Sequence, residues 1–201
     1  MLLQLTSIKR KMRIGVFSLT PGIKSTLCAL CISMAAMTGR AQSDAEKAFK
    51  ERMGNDYGQT MPVIVKQITH SFLKTPYVAH TLEGNQQEQL VCRFDGLDCT
   101  TLVENVLAMA LTYKAGGSFD QFKDELKKIR YRNGEIDGYT SRLHYFTDWL
   151  YENQKRGVIR DISQELGGIP LTKTIDFMTA HPDLYPSAKS EEAWKQLRIR
   201  E

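Results

Sequence analysis

The sequence of 201 residues has few of the side chains that bind metal ions, with only four histidines and four cysteines. No spacing of cysteine and histidine is typical of a zinc site, so we expect no metal and no other cofactor. Internal repeats, low-complexity tracts and long linkers are also missing, which predicts one folded unit with an ordinary hydrophobic core. Aromatic residues make up 9% and charged residues 25% of the chain, which argues against an intrinsically disordered protein.

Acidic residues are absent from the first 41 residues, which contain six basic ones. An apolar stretch at 27–37 follows the basic start, and Gly39 and Ala41 place small residues where a signal peptidase accepts them. This apolar stretch is well short of the roughly 20 residues that a membrane-spanning helix needs. We therefore expect residues 1–41 to be a signal peptide, cleavage before Gln42, and a periplasmic protein with no stable membrane span.

The charge and cysteine content of the chain change once this segment is removed. Residues 42–201 contain 21 basic and 23 acidic residues, a net charge of −2, which does not indicate nucleic acid as a partner. Cys28 and Cys31 lie in the predicted signal peptide, and attachment of a lipid to Cys31 is the alternative to cleavage before Gln42. Cys92 and Cys99 remain, which is too few for a disulfide scaffold. Either they pair with each other or at least one is free for chemistry.

Hydrophobic periodicity predicts helices, one small β-hairpin and then further helices. A capping pattern of Ser43 with Glu46 predicts a short first helix. Two strands, 77–83 and 88–94, are expected to pair through a turn. Residues from 156 onward should form loop-rich covering structure. The longer helices should occupy 61–73, 99–115, 118–129 and 141–153. N-caps are expected at Thr60, Asp98 and Ser118. The helix at 99–115 is apolar nearly all round and should therefore be central.

Cys99 stands directly after Asp98, which is a good N-cap residue and places the cysteine in the first turn of the central helix. There the helix dipole and the unpaired backbone N–H groups favour a thiolate over a thiol, and the thiolate is the nucleophilic form. The same N–H groups can stabilise the oxyanion formed when an acyl group is attacked. The alternative is a small buried residue that begins a core helix, because free cysteine packs well. Position alone leaves both interpretations open.

The segment Asp98-Cys99-Thr100-Thr101-Leu102-Val103 resembles the nucleophile segment of the NlpC-type cell-wall cysteine peptidases, distant relatives of papain. The chain is more similar to a related family, the N-acetylmuramoyl-L-alanine amidase-like proteins. The phrase Ser141-Arg142-Leu143-His144-Tyr145-Phe146, about 40 residues downstream, is the second strong part of this resemblance. The similarity covers most of residues 42–201 and includes 77–82, 129–132, 139–149, 177–178 and 181–182.

The resemblance implies an α+β fold of the papain-like, NlpC-type class. Residues 42–201 would hold its helical part and a small hairpin but lack most of the antiparallel sheet, so this amidase-like domain would be incomplete at its C-terminus. The family implies that Cys99 attacks the amide between the lactyl group of muramic acid and L-alanine, with a histidine as general base and an acyl-enzyme intermediate. Anhydro-muropeptides or other peptidoglycan fragments would be the substrates and partners.

The remaining site residues follow from the second phrase of the resemblance. Ser141, Arg142, His144 and Tyr145 are predicted to bind substrate, with the planar fork of Arg142 gripping a peptide carboxylate. The alternative is an ordinary helix start with a partly buried histidine. Neither His144 nor His181 is assigned as the base, which is expected beyond the last residue.

Two other functions remain open on the sequence alone. One is a peptidase that cuts within the peptidoglycan stem peptide with the same cysteine chemistry. The other is a non-catalytic envelope module that binds muropeptides. Because a base is not assigned, residues 42–201 alone are predicted to show no measurable amidase activity.

Overall fold

The computed structural model describes residues 44–85, 87–170, 172–188 and 190–200. The predicted signal peptide 1–41 and the predicted cap at Ser43 lie outside these residues. The described part is mostly helical and contains two isolated β-bridges, Tyr77 with Leu97 and Tyr131 with Arg142. No described helix combines the length and the apolar character needed to cross a bilayer.

The described residues form seven α-helices, joined by 3₁₀ turns at Arg132–Gly134, Tyr139–Ser141 and Pro182–Leu184. In chain order, the helices are α1 (44–53), α2 (Met61–Ser71), α3 (Cys99–Lys114), α4 (Phe119–Arg130), α5 (Phe146–Lys155), α6 (Phe177–Ala180) and α7 (Glu191–Arg200).

Helix α3 packs against both α2 and α4 and forms the centre of the larger core. Ala108, Met109 and Ala110 are fully buried, and the small alanines let the neighbouring helices approach closely. Aromatic side chains fill the space around them, as in the Phe49–Phe122 pair with ring centroids 5.1 Å apart. Each such buried ring stabilises the fold by roughly 1.5–3 kcal/mol. The prediction that this helix is central is confirmed, although one of its apolar side chains, Val103, is 39% exposed.

Helix α4 follows the sequence prediction closely. Ser118 is its N-cap, and the Ser118 hydroxyl accepts a hydrogen bond from Gln121 N at 3.4 Å. The apolar side chains at helical spacing, Phe119, Phe122, Leu126 and Ile129, are all buried against the core. The amphipathic pattern was therefore sufficient to define this helix and its buried face.

The predicted β-hairpin does not form, because neither 77–83 nor 88–94 is a strand. His80 has a φ of 58°, a left-handed conformation that interrupts the first segment. In the second segment, 88–94, side chains from the end of α4 contact backbone carbonyls that would otherwise accept hydrogen bonds from a neighbouring strand. Arg130 donates to Val91 O at 2.6 Å, and the Tyr131 hydroxyl oxygen lies 3.0 Å from Gln89 O. Side-chain contacts, and not strand pairing, therefore hold this part of the chain. The hairpin was the one β element that the α+β prediction placed in this chain, and it is absent from the described residues.

The helix predicted at 141–153 begins later, because α5 starts at Phe146. Arg142 is extended and forms an antiparallel bridge with Tyr131, and Leu143 N donates to Arg130 O at 3.0 Å. This long-range pairing prevents the residues before Phe146 from becoming helical.

The region after residue 156, predicted as loops, contains the ten-residue helix α7. A second, smaller core forms here from Met178, Ala188 and Leu197, and Tyr139 and Tyr145 pack against it. The sequence prediction missed α7, although Ser190 caps it by accepting a hydrogen bond from Ala193 N at 3.0 Å.

Candidate active site

Cys99 is the first residue of α3, and Asp98 forms the N-cap that the sequence predicts. The Asp98 carboxylate accepts hydrogen bonds from Thr101 N and Thr101 Oγ1, both at 2.8 Å. The Thr101 hydroxyl in turn accepts a hydrogen bond from Asp98 N at 2.9 Å. This reciprocal capping box fixes the first turn of the helix and therefore the direction of the Cys99 backbone.

The turn before Cys99 is anchored on both sides of its glycine. Phe94 and Leu97 are each 5% exposed, and Leu97 exchanges backbone hydrogen bonds with the segment at 76–78. A Cβ at Gly96 would lie 2.6 Å from Val78 Cγ2, so a larger residue there would push the two segments apart. The anchored turn holds the start of α3 in place, and the Cys99 side chain itself is exposed.

Among the described residues, no histidine nitrogen is hydrogen-bonded to Cys99 Sγ, which lies 4.0 Å from Thr100 Oγ1. His144 Nε2 lies 2.8 Å from Tyr139 O, and His181 Nδ1 lies 2.9 Å from Phe177 O. Each of these histidines therefore contacts the backbone of its own turn.

We expect Asp98→Ala to lower the free energy of unfolding by about 1 kcal/mol, because two donors of the first turn lose their acceptor. Thr60→Ala is the matched control, since Thr60 occupies the N-cap of α2 but its side chain makes no capping hydrogen bond. Urea unfolding followed by circular dichroism measures both variants. Equal losses in the two would show that the Asp98 cap contributes nothing specific.

The two cysteines of the described region are both free, and they differ in their surroundings. Cys92 is half-buried, and burial raises the pKa of its thiol, an effect that the nearby charge of Arg130 partly offsets. At neutral pH Cys92 therefore has less of the nucleophilic thiolate than an ordinary cysteine.

Iodoacetamide at pH 7 should therefore alkylate Cys99 at least about tenfold faster than Cys92, since a thiol that is both shielded and protonated reacts slowly. Mass spectrometry of peptides from timed samples gives the two rates. In denaturant, where both side chains are exposed, the rates should converge. Similar alkylation rates for Cys92 and Cys99 in the folded protein would contradict the prediction that Cys99 is the more reactive thiol.

Three of the four predicted substrate-binding residues hold their own part of the chain together. The buried Ser141 hydroxyl accepts a hydrogen bond from Asp137 N at 3.0 Å and donates one to Gly138 O at 2.7 Å. The His144 ring packs on the Tyr139 ring with centroids 4.3 Å apart. The Tyr145 hydroxyl accepts a hydrogen bond from Met178 N at 2.7 Å, which connects this segment to α6.

Arg142 lies in a cluster of charges that the sequence did not reveal. Its side chain is 6% exposed, with Nη2 2.7 Å from Glu83 Oε1 and Nε 3.4 Å from Glu88 Oε1. Its guanidinium carbon stands 5.0 Å from the centroid of the Tyr139 ring. Glu88 also accepts a hydrogen bond from Tyr131 Oη at 2.8 Å. No local pattern connects the glutamates to Arg142, because Glu83 is 59 residues away.

Glu83, Glu88, Tyr139 and Arg142 line a cavity of about 390 Å³. Burial raises the pKa of Glu88, and the charge of Arg142 opposes this effect. Burial also raises the pKa of Tyr139 and of Tyr131, so both phenols are neutral at physiological pH. The charged groups that face the cavity are therefore Glu83, Glu88 and Arg142. In the described part of the chain, no three histidine, cysteine or acidic side chains gather as a metal site.

A buried ion pair connects the helix of Cys99 to the wall of this cavity. Arg130 Nε lies 2.7 Å from Glu104 Oε2, and both side chains are at most 3% exposed. Glu104 belongs to α3 and Arg130 to the end of α4. The bond from Arg130 to Val91 O holds the segment that contains Glu88. The pair thus connects α3, the helix that begins at Cys99, to the segment that contains Glu88.

Three solved proteins resemble this chain in sequence and fold. An N-acetylmuramoyl-L-alanine amidase from Bacteroides uniformis ATCC 8492 is 42% identical with a TM-score of 0.66, over 70% of this chain and 60% of that one. A Bacteroides fragilis protein provisionally named a xylanase is 39% identical with a TM-score of 0.62, over 66% and 58%. A Legionella pneumophila protein is 26% identical with a TM-score of 0.53, over 77% and 60%.

The chain spans about 60% of the length of the solved relatives that it matches. No curated protein matches the sequence significantly. The sequence model of the family described as N-acetylmuramoyl-L-alanine amidase-like matches residues 67–201, which include Cys99, the cavity residues and well over half of the chain. The chain belongs to the N-acetylmuramoyl-L-alanine amidase-like family.

Proposed function

We propose that the protein is a cell-wall amidase that uses Cys99 to hydrolyse the bond between N-acetylmuramic acid, in its anhydro form, and L-alanine of muropeptides. The observation that carries this proposal is the exposed cysteine at the capped N-terminus of α3, inside the segment that matches the family. A thiol in this position is accessible to substrate, and the first backbone N–H groups of the helix are available to a developing oxyanion.

In the proposed reaction, the Cys99 sulfur attacks the lactyl carbonyl carbon and forms a tetrahedral oxyanion. The carbon–nitrogen bond then breaks, and the amine of L-alanine leaves with a proton, so that a thioester remains on Cys99. Water hydrolyses the thioester to a carboxylate and restores the thiol. A general base must accept the thiol proton and return it to the amine. We assign neither His144 nor His181 to this step, because among the described residues neither is hydrogen-bonded to the Cys99 sulfur.

This proposal gives Ser141, Arg142, His144 and Tyr145 a role that differs from the substrate binding predicted from the sequence. Ser141 and His144 contact two residues that line the cavity, Gly138 and Tyr139. Tyr145 holds α6 through Met178, and Arg142 organises the cavity through Glu83 and Glu88. A direct grip of Arg142 on a substrate carboxylate, which the sequence predicts, would use guanidinium N–H groups other than the Nη2 group that holds Glu83.

We further propose that the protein works in the periplasm, where peptidoglycan fragments are found. The basic start, the apolar stretch and the small residues before Gln42 support export. Mass spectrometry of the protein recovered from the envelope tests this proposal: the first residue should be Gln42, and retention of residues 12–30 would contradict it.

The test of the activity incubates the full-length protein with purified anhydro-muropeptides and identifies the products by mass spectrometry. An amidase releases the sugar and leaves an intact peptide. A peptidase within the stem leaves a shortened peptide on the sugar, and a binding module releases nothing. Xylan is included because of the name given to the Bacteroides fragilis relative. Release of any product other than free sugar and intact peptide would overturn the proposal.

A further inference from the structure

We propose that the cavity lined by Glu83, Glu88, Tyr139 and Arg142 binds an alkylammonium group, such as the side chain of a diamino acid in a peptidoglycan stem, with Glu83 as its direct partner. This inference rests on the proposed function only for the source of the ligand. The cavity itself, and the charges that face it, belong to the structure independently of any reaction.

The charge of the cavity favours a cation. With both glutamates ionised, the two carboxylates and one guanidinium sum to −1, and the other lining residues are uncharged. An incoming carboxylate would be repelled by the like charges of Glu83 and Glu88. An ammonium group instead places a positive charge beside Glu83, the less enclosed of the two glutamates.

The two glutamates differ in how far their side chains are exposed, and direct contact with a ligand requires an exposed carboxylate. The Glu88 side chain is 7% exposed and is occupied by Tyr131 and Arg142. The Glu83 side chain is 34% exposed, so its carboxylate faces the cavity and solvent while Arg142 holds one of its oxygens. Arg142 is therefore a positioning residue that fixes the Glu83 carboxylate, and Glu83 is the residue that would contact the ligand.

The rest of the lining suits an aliphatic amine better than a metal ion or a small inorganic cation. Leu82 and Ile136 contribute apolar surface to the same cavity, which can contact the methylene groups of a lysine-like chain. A volume of about 390 Å³ accommodates such a chain together with some of its peptide backbone. The cavity thus combines an apolar wall for the methylenes with a fixed carboxylate for the ammonium group.

The experiment measures binding of the tripeptide L-Ala-γ-D-Glu-L-Lys by isothermal titration calorimetry, with the Nε-acetylated tripeptide as comparison. The protein carries Cys99→Ala, so no turnover interferes. The tripeptide has no sugar, so the result does not depend on whether the protein is an amidase. We expect acetylation, which removes the charge, to weaken the Kd about tenfold. Equal affinity for the two peptides, or no binding of either at millimolar concentration, would overturn the proposal.

Glu83→Gln should abolish this tenfold preference, because the amide keeps the size of the side chain and removes its charge. Glu165→Gln is the matched control: it makes the same change in an exposed ion pair, with Arg160, that does not line the cavity. Loss of the preference in both variants, or in neither, would overturn the role of Glu83. Should Glu83→Gln unfold the protein, the comparison of the two peptides with unchanged Glu83 still decides whether an ammonium group is bound.

Discussion

Replacing Cys99 by alanine is expected to lower kcat/KM for an anhydro-muramyl peptide by at least about 10³-fold, because no other group then forms the acyl-enzyme. The residues of a catalytic unit act together, so losing the nucleophile removes nearly all of the chemical rate enhancement. The fold should persist: Cys99 is exposed, and exposed substitutions usually change the free energy of unfolding by no more than about 0.5 kcal/mol. The measurement is the steady-state release of free sugar by the full-length protein and by the variant.

Cys92→Ala is the matched control for this loss, because it removes the other thiol of the described region. Cys92 is half-buried with a raised thiol pKa, and the variant should keep most of the activity. Undiminished turnover by Cys99→Ala would show that the cysteine is not the nucleophile. Equal losses in both variants would indicate a general effect on the fold.

The second large effect concerns the buried pair of Arg130 and Glu104. Arg130→Met is expected to lower the free energy of unfolding by about 3–5 kcal/mol, because it leaves the Glu104 carboxylate buried without its cation. It also removes the donor to Val91 O. Since small domains have a total stability of about 5–15 kcal/mol, this variant should be close to unfolding at 37 °C. Urea unfolding at pH 7 measures the change.

The matched control is Glu46→Gln, which breaks the exposed pair of Glu46 with Lys50 in α1 and should cost less than about 1 kcal/mol. Adding Glu104→Leu to Arg130→Met should recover part of the loss, because a buried apolar pair carries no unpaired charge. A loss for Arg130→Met as small as that for Glu46→Gln would show that the buried pair does not hold α3 and α4 together.

Features that depend on residues close together in the sequence were predictable. The Asp98 cap, the Ser118 cap and the buried face of α4 each depend on side chains within one or a few turns of a helix. Hydrogen bonds from a cap span three residues, and helical periodicity repeats within four. The position of Cys99 at a helix start, which is the basis of the proposed chemistry, therefore followed from the local sequence.

The sequence by itself therefore determined helices α2, α3 and α4, the caps at Asp98 and Ser118, and the cysteine at the start of α3. The predicted cap at Thr60 makes no side-chain hydrogen bond. Only the tertiary structure decided that 77–94 has no hairpin, that α5 begins at Phe146 and that Arg142 lies between two glutamates. Each of these depends on contacts between distant residues, such as Arg130 with Val91 O and Arg142 with Glu83. Local periodicity contains no information about such partners, because they meet only after α3 and α4 have packed. The cavity and its net charge were for this reason visible only in the folded chain.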